Sequence, residues 1–95
     1  MSALPAIGTI FEHPGFKAKV VGVLTGISVF EVELDGLVPA HAAEADEMAI
    51  VLQGVVRVTI NDEVFTRHVG EWLIVPAGTS HAVEALEPAR LLMIG

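Results

Sequence analysis

Residues 70–81 read GEWLIVPAGTSH, a short apolar run that begins after a glycine and ends in a Pro-Ala-Gly sequence and a histidine. The apolar run over residues 71–75 predicts a strand, and the Pro-Ala-Gly sequence predicts a sharp turn. A returning strand is expected over residues 80–85, with His81 near its start. The turn would therefore direct the imidazole of His81 back toward the space that the sheet encloses.

The rest of the chain is also patterned for strands and turns. Residues 17–24 favour a strand, and residues 27–34 alternate with an imperfect period of two, which predicts another. Turn signals recur at about the 8–12-residue spacing of all-β sandwiches and barrels, and no long segment shows a helical period. The sequence therefore predicts an all-β fold without an internal linker or repeat.

Specific residues mark three of the expected strand ends. Gly54 is expected to bend an apolar run into the strand that follows it. Asn61 and Asp62 are expected to form a two-residue hairpin loop with positive φ at both positions. Glu87 and Pro88 predict a turn before the last strand.

A second polar cluster, HAAEADE at residues 41–47, lies upstream of the first stretch. Asp35-Gly36 and Pro39 predict that this cluster lies in a loop. An apolar run over residues 48–52 follows it directly, so the last polar side chain of the cluster would enter a strand. We therefore expect the chemistry of the protein to lie where the two polar stretches meet.

Length and charge limit the function classes. The chain has 95 residues, which predicts one domain over residues 1–95 with an N-terminal arm over residues 1–15. Its formal net charge is -7 with only 5 Lys and Arg residues, which argues against nucleic acid and anionic membranes as partners. Without cysteine, neither a disulfide framework nor a thiolate site is expected. The N-terminal sequence predicts neither a signal peptide nor a membrane span, so a cytoplasmic location is expected.

The stretch at residues 70–81 resembles the second motif of the cupin family. Gly70, Pro76, Gly78 and His81 fit the pattern G-x(5)-P-x-G-x(2)-H-x(3)-N. Only the last position differs, because Ala85 stands where the motif has Asn. The match is fairly specific, since it fixes a proline and two glycines as well as the histidine.

The upstream cluster is similar to the first cupin motif, G-x(5)-H-x-H-x(3,4)-E-x(6)-G, with His41, Glu47 and Gly54 in register. Two positions depart from it: Ala43 replaces the second histidine, and Gly36 is one residue closer than the motif requires. The combined resemblance is to small single-domain cupins of the RmlC-like type. It implies an all-β double-stranded β-helix, the jelly-roll cupin barrel, which is usually dimeric and often holds one divalent metal ion.

The resemblance and strand alternation together imply a metal site. Glu47 and His81 would point into the barrel, and His41 would join them if its segment stays extended. The implied metal ligands are therefore His41, Glu47 and His81. Two imidazoles and one carboxylate are a donor set that suits Fe, Mn, Zn or Ni.

The pocket around such a site is expected to be small and apolar. Every second residue of a strand shares a face, so the neighbours of Glu47 and His81 would line it. Because no arginine lies in either motif, a sugar phosphate is disfavoured. A small, largely apolar ligand with one metal-coordinating group is expected instead. The expected lining residues are Ala43, Ala49, Val51, Gln53, Trp72, Val83 and Ala85.

The same residues also allow a metal-free interpretation. His81 could be a hydrogen-bonded barrel histidine with Glu47 as its partner, and His41 could be an exposed loop residue. Glu44 and Asp46 are expected to belong to a solvated acidic loop. Two function classes follow: a metal-dependent enzyme, such as an oxygenase or isomerase, and a binding or sensor module without catalysis.

A homodimer is expected from apolar side chains that the barrel interior cannot enclose. The strand face opposite Glu47 presents Met48, Ile50 and Leu52, where a one-sided antiparallel sheet should present polar residues. Hydrophobic residues make up 53% of this short chain, which also favours a partner subunit. The alternative is that the apolar arm over residues 4–10 folds over this face within the same chain.

Overall fold

The computed structural model of the protein describes residues 4–95. These residues form eight strands and contain no helix, which confirms the predicted all-β class. Consequently, nothing in this range has the helical length and apolarity of a membrane span. The strands are β1 (Ile10–His13), β2 (Phe16–Leu24), β3 (Ile27–Leu34), β4 (Leu37–Ala42), β5 (Glu47–Ile60), β6 (Glu63–Arg67), β7 (Trp72–Val75) and β8 (Ser80–Ile94).

The two longest strands, β5 and β8, organise the sheet. They pair with each other in antiparallel fashion from one end to the other, and each has different neighbours along its two halves. The first half of β5 pairs with β7, and its second half pairs with β6. The first half of β8 pairs with β4, and its second half pairs with β3. The eight strands therefore form two layers that β5 and β8 share, as in a jelly roll.

Gly54 lies where β5 passes from one layer to the other. Its φ is 82°, a left-handed conformation that glycine adopts without a steric penalty. A Cβ atom built there would lie 2.9 Å from the Cα atom of Ala89 and still closer to the carbonyl oxygen of Pro88. The bend that the sequence predicts at Gly54 is therefore confirmed, and it brings the backbones of β5 and β8 into direct contact.

The core lies between the two layers. It consists mainly of valines and other aliphatic side chains that alternate along the strands, and Val20, Val32, Val51, Val56 and Val58 are almost completely buried. The alternation of buried and exposed residues along β5 changes at Gly54. Odd-numbered Ala49 and Val51 are buried before Gly54, whereas even-numbered Val56 and Val58 are buried after it. Register shifts between β5 and β8 on both sides of Gly54 account for this change of phase.

The predicted turn at Glu87 and Pro88 is wrong. Both residues lie within β8, which runs without interruption through Ser80–Ile94. Glu87 pairs with Val55, and the next paired position on β8 is Arg90, so Pro88 falls at an irregularity of the ladder. Proline lacks the N–H that a regular ladder needs, and such irregular positions are where a sheet accepts it.

Two further local predictions differ from the structure. The loop predicted after Gly36 is largely strand β4, because Pro39 falls in a register shift between Val38 and His41 rather than ending the strand. In the hairpin between β5 and β6, Asn61 has a φ of 54°, but Asp62 does not have the positive φ that the sequence predicted for both positions.

The described part of the N-terminal arm lies along β2. Strand β1 pairs with β2, and the backbone of Gly8 and Thr9 continues that pairing through hydrogen bonds with Val20. β2 is separated from β5 by two other strands, so residues 4–10 do not cover the outer face of β5. The first three residues of the arm are outside the described range.

Replacing Gly54 with alanine is expected to destabilise the protein by about 2–5 kcal/mol. The left-handed backbone costs about 1–2 kcal/mol for an alanine, and the close contact with Pro88 and Ala89 adds an overpacking penalty of about 1–3 kcal/mol. Gly26→Ala is the matched control, since Gly26 has a φ of 71° but no atom within 4 Å of its Cβ position. Urea unfolding would measure both variants, and equal losses would show that the close approach of β5 and β8 is unimportant.

Candidate functional site

A buried histidine and a carboxylate lie at one end of the barrel interior. Glu47 is the first residue of β5, and His81 is the second residue of β8. The side chain of His81 is only 4% exposed, and its Nε2 atom lies 3.6 Å from Oε1 of Glu47, whose side chain is 25% exposed. In the described part of the chain, Ser28 is the only other buried polar residue. The His81–Glu47 pair is thus the main polar feature of an otherwise apolar interior.

The hydrogen bonding of His81 determines what its second ring nitrogen can do. Nδ1 lies 3.2 Å from the carbonyl oxygen of Thr79. A carbonyl oxygen only accepts hydrogen bonds, so Nδ1 must carry a proton. In the neutral imidazole, Nε2 is then a lone-pair acceptor that faces the carboxylate of Glu47, which is also an acceptor. Two acceptors that face each other need a donor or a cation between them, which can be a proton on one of the two groups, a water that donates to both, or a metal ion.

His41 lies beside this pair on the neighbouring strand. It pairs in register with His81, and the centroids of the two rings are 4.4 Å apart. Nδ1 of His41 lies 3.0 Å from the carbonyl oxygen of Pro39, to which it must donate for the same reason. Nε2 of His41 is therefore also available as a lone-pair donor to a cation. Unlike His81, His41 is exposed.

The segment between His41 and Glu47 is held by the turn that precedes β8. The backbone N–H of Ala77 donates to Oδ1 of Asp46 at 2.8 Å. The backbone N–H of Gly78 donates to the carbonyl oxygen of Ala43 at 2.8 Å. These two bonds fix the segment that leads into Glu47 relative to the turn that leads into His81. Asp46 is exposed, as expected for the acidic segment, but its contact with the turn was not predicted from the sequence.

Two of the three pairs among the predicted metal ligands are in contact. His81 contacts both Glu47 and His41. Across residues 4–95, however, no three imidazole, thiolate or carboxylate side chains are already arranged for a metal ion. Two donors about 2.0–2.1 Å from one tetrahedral ion lie about 3.3–3.4 Å apart, which is close to the 3.6 Å between Glu47 and His81. The distance between Glu47 and His81 is therefore compatible with one shared ion.

A small cavity adjoins the His81–Glu47 pair. Its volume is about 60 Å³. One water needs about 10–15 Å³, so the cavity has room for only a few waters. Of the described residues that line it, only Glu47 and His81 are titratable. The remaining lining residues are Ala49, Val56, Val58, Leu73, Val75, Val83, Leu91 and Met93.

The residues predicted to line the pocket are distributed over several places. Ala49 and Val83 line the cavity, Val51 is buried in the adjacent core, and Ala85 packs against that core. Ala43 is half-buried. Gln53 and Trp72 are exposed and border other surface depressions.

The sequence prediction missed the lining residues that follow Gly54, chiefly Val56 and Val58. It followed the strand alternation from Glu47 only as far as Gln53 and did not extend it past Gly54. The signal was present, because a glycine inside a strand pattern often marks a bulge. Leu73 and Val75, from the short strand β7, alternate with the exposed Trp72 and Ile74.

A second imidazole–carboxylate pair lies on the exposed turn between β6 and β7. Oε1 of Glu71 accepts a hydrogen bond from the backbone N–H of His68 at 2.7 Å and lies 3.0 Å from Nδ1 of His68. The backbone hydrogen bond, followed by the side-chain hydrogen bond, holds the pKa of Glu71 below its ordinary value of 4.5. Both side chains are solvent-exposed, so this pair is well screened and does not belong to the barrel interior.

Comparison with known families gives one match that covers most of the chain. Residues 28–95 match the family model described as a cupin domain. A search of curated proteins found no match. The family match includes both motif stretches and confirms the resemblance on which the site prediction was based.

Solved structures support the same fold. The chain is 27% identical to KdgF from a Halomonas species, with a TM-score of 0.77, over 90% of this chain and 82% of that one. An RmlC-like cupin from Shewanella frigidimarina has a TM-score of 0.81 at 18% identity, over 92% and 81% of the two chains. A cupin-2 domain protein from the same organism has a TM-score of 0.78 at 24% identity, over 82% and 78%. The last two likenesses concern the fold alone.

His68→Ala is expected to raise the pKa of Glu71 only partway toward 4.5, because the backbone N–H of residue 68 remains. A lowered folded-state pKa means that this carboxylate stabilises the fold above pH 4.5 and that the contribution disappears as the pH falls through the folded pKa. Carboxyl carbon shifts in an NMR titration would measure the pKa. His13→Ala is the control and should leave Glu71 unchanged, whereas an unchanged Glu71 in His68→Ala would show that the imidazole has no effect.

Proposed function

The chain belongs to the cupin domain family, and we propose that it is a small metal-dependent cupin that acts on a small, largely apolar ligand. His41, Glu47 and His81 would hold one divalent cation at the end of the apolar cavity. The cation explains the buried pair, because both Nε2 of His81 and Oε1 of Glu47 are acceptors when the imidazole is neutral. This facing pair of acceptors is the observation that carries the proposal.

The arrangement around the two imidazoles also supports metal binding. A metal-ligating histidine usually donates its other ring N–H to a carbonyl or carboxylate, which fixes the tautomer and the ring orientation. Nδ1 of His81 has Thr79 as this partner, and Nδ1 of His41 has Pro39. Both rings therefore present Nε2, and a modest movement of the exposed His41 side chain would bring the third donor to the pair.

The donor set is compatible with Fe, Mn, Zn or Ni. A divalent ion bound there would polarise a substrate oxygen or activate dioxygen, which is chemistry suited to an isomerase or an oxygenase. The apolar lining, including Val58, Leu73 and Met93, would keep bulk water away from the polar pair. Thr79 and Pro39, through their carbonyl oxygens, would hold the two imidazoles in position.

A metal-free binding module is the competing function. In that case, a proton or a water occupies the position between Nε2 of His81 and Oε1 of Glu47. The exposed position of His41 favours this alternative, because a metal-free His81–Glu47 pair does not need His41 as a third donor. Metal titration separates the two functions directly.

We also propose that the protein is a homodimer through the outer face of the layer that contains β7. Paired residues on neighbouring strands share a sheet face, so the register identifies two apolar rows. One row runs through Val29, Ile94, Met48 and Ile74, and the other runs through Leu92, Ile50 and Trp72.

The exposure of these rows supports a partner subunit. Trp72 is 57% exposed and Ile74 is 58% exposed, and the adjacent Leu52 is 42% exposed. The described part of the N-terminal arm pairs with β2 and leaves this face uncovered. Full burial of such side chains contributes about 1.5–3 kcal/mol each, so two subunits that each bury several of them can offset the entropic cost of docking.

Chelator-treated protein is expected to bind one divalent ion per chain in isothermal titration calorimetry. Glu47→Gln and His81→Ala should each weaken binding at least about tenfold, since even outer-shell partners contribute that much. Ala43→His should strengthen binding, because it supplies the imidazole that the first motif lacks at that position.

Glu44→Gln is the matched control, because Glu44 is an exposed carboxylate of the same segment and is not among the proposed ligands. Its affinity should equal that of the unmodified chain. If the unmodified chain binds no ion, the metal-free module is correct. If Glu44→Gln and Glu47→Gln weaken binding equally, the ion is held by the acidic segment and not by the barrel.

Light scattering at micromolar concentration is expected to give twice the mass of one chain. Ile50→Lys should reduce this to one chain mass, because a lysine in the middle of the apolar rows would be buried without a partner. Val64→Lys is the control, since Val64 is 59% exposed but lies on β6 in the other layer. Circular dichroism would check that both variants remain folded. A single-chain mass for the unmodified protein would contradict the dimer.

A further inference from the structure

A second, larger apolar groove lies next to the candidate metal site. It runs between the β1–β2 turn and strand β4, which forms a sheet edge. The volume of the groove is about 570 Å³, which is nearly ten times the volume of the interior cavity. Its lining includes His13, Phe16, Leu37, Pro39 and His41. A ligand that is too large for the interior could be accommodated here.

The groove is connected to the candidate site through one residue. His41 lines the groove, and its ring lies 4.4 Å from the ring of His81, which lines the interior cavity. A molecule in the groove would therefore contact the outermost of the three proposed metal ligands. The position of His41 at this junction also explains why it is exposed while His81 is buried.

The edge of β4 disfavours a peptide strand or a second sheet as the occupant. Strand addition requires a regular row of free N–H and C=O groups along the edge. Pro39 has no N–H, and a register shift separates Val38 from His41. The main-chain pattern is thus interrupted in the middle of the groove, and a small molecule that binds through its surface fits better than an extended backbone.

The side chains of the groove indicate the chemistry of that molecule. The lining contains no carboxylate, ammonium or guanidinium group, and its only titratable side chains are His13 and His41. The rings of His13 and Phe16 are stacked, with centroids 6.0 Å apart and an interplanar angle of 30°. Planar aromatic surfaces of this kind favour a planar apolar ligand. The net charge of -7 disfavours an anionic one.

We propose that this groove binds an uncharged aromatic molecule that carries a hydroxyl group. The aromatic ring lies beside His13 and Phe16, and the hydroxyl group points toward His41. The orientation of the hydroxyl group rests on the proposed function, because His41 leads to the proposed cation. The affinity of the groove for the aromatic ring does not depend on the metal.

The test is an NMR titration of the full chain with 4-ethylphenol, carried out after chelator treatment and again with added Zn²⁺. Amide shifts are expected at the residues other than proline in the ranges 13–16 and 37–41. Leu37→Asp should weaken binding at least tenfold, because it places a charge in the apolar lining. Leu37 is 57% exposed, so this variant should remain folded. Ala40→Leu provides a second variant, which would fill part of the groove without adding charge and should also weaken binding.

Leu24→Asp is the matched control, because Leu24 is 55% exposed at the β2–β3 turn, away from the groove. Its affinity for 4-ethylphenol should be unchanged. The permanently charged 4-ethylbenzenesulfonate should bind at least tenfold more weakly than the phenol. Equal affinity of the two compounds, equal effects of Leu24→Asp and Leu37→Asp, or no phenol binding would each overturn the proposal. So would a change of oligomeric mass in Leu37→Asp, which would identify a second copy as the occupant.

The two proposals can fail separately. If chelator-treated protein binds 4-ethylphenol but no metal ion, the groove is correct and the metal-dependent function is wrong. If the protein binds metal but the phenol does not shift the amide signals of residues 37–41, the groove proposal is wrong and the metal-site proposal is unaffected.

Discussion

The fold depends on the contact between β5 and β8 at Gly54. Both strands pass from one layer to the other there, and the backbone of Gly54 touches that of Pro88 and Ala89 with no room for a side chain. Each half of the two strands can then pair with different neighbouring strands, and this pairing forms the two layers of the jelly roll. This crossing also brings the start of β5 and the start of β8 to the same end of the barrel. Glu47 and His81 meet because their strands are bent together, although they are distant in sequence.

The His81–Glu47 pair places two hydrogen-bond acceptors opposite each other in an otherwise apolar barrel. His81 donates through Nδ1 to a backbone carbonyl, so its other nitrogen faces Glu47 as an acceptor unless a proton occupies it. A proton and a metal ion are therefore competitors for the same position. This competition relates the metal-dependent and metal-free functions to each other.

The three surfaces available to partners are separate in the structure. The interior cavity adjoins Glu47 and His81 and has space for only a few waters. The apolar rows that include Ile50 and Trp72 lie on the outside of one layer. The groove beside β4 lies at the edge of the other layer, and His41 lies between it and the His81–Glu47 pair. Dimer formation and ligand binding can therefore occur together, since the residues that define them do not overlap.

The sequence alone determined the fold class and identified His41, Glu47 and His81 as the predicted ligands. Alternation in residues 27–34, turn signals and the two motif stretches were sufficient, because they depend on local chemistry and fixed spacing. The bend at Gly54 was also predicted correctly from the sequence. The sequence could not place Pro88 and Pro39, since a proline signals a turn locally but is accepted in a strand wherever the ladder is irregular. Only the paired strands decided this.

The tertiary structure also decided how the site residues are arranged. The reversal of the inward phase after Gly54 follows from the register of β5 against β8, which put Val56 and Val58 rather than Gln53 in the interior. The carbonyl partners of His41 and His81 arise from local backbone shape and are invisible in the sequence. The groove beside β4 exists because a turn and an edge strand from different layers approach each other. Such long-range approaches have no local sequence signal, and for that physical reason the groove could be found only in the folded chain.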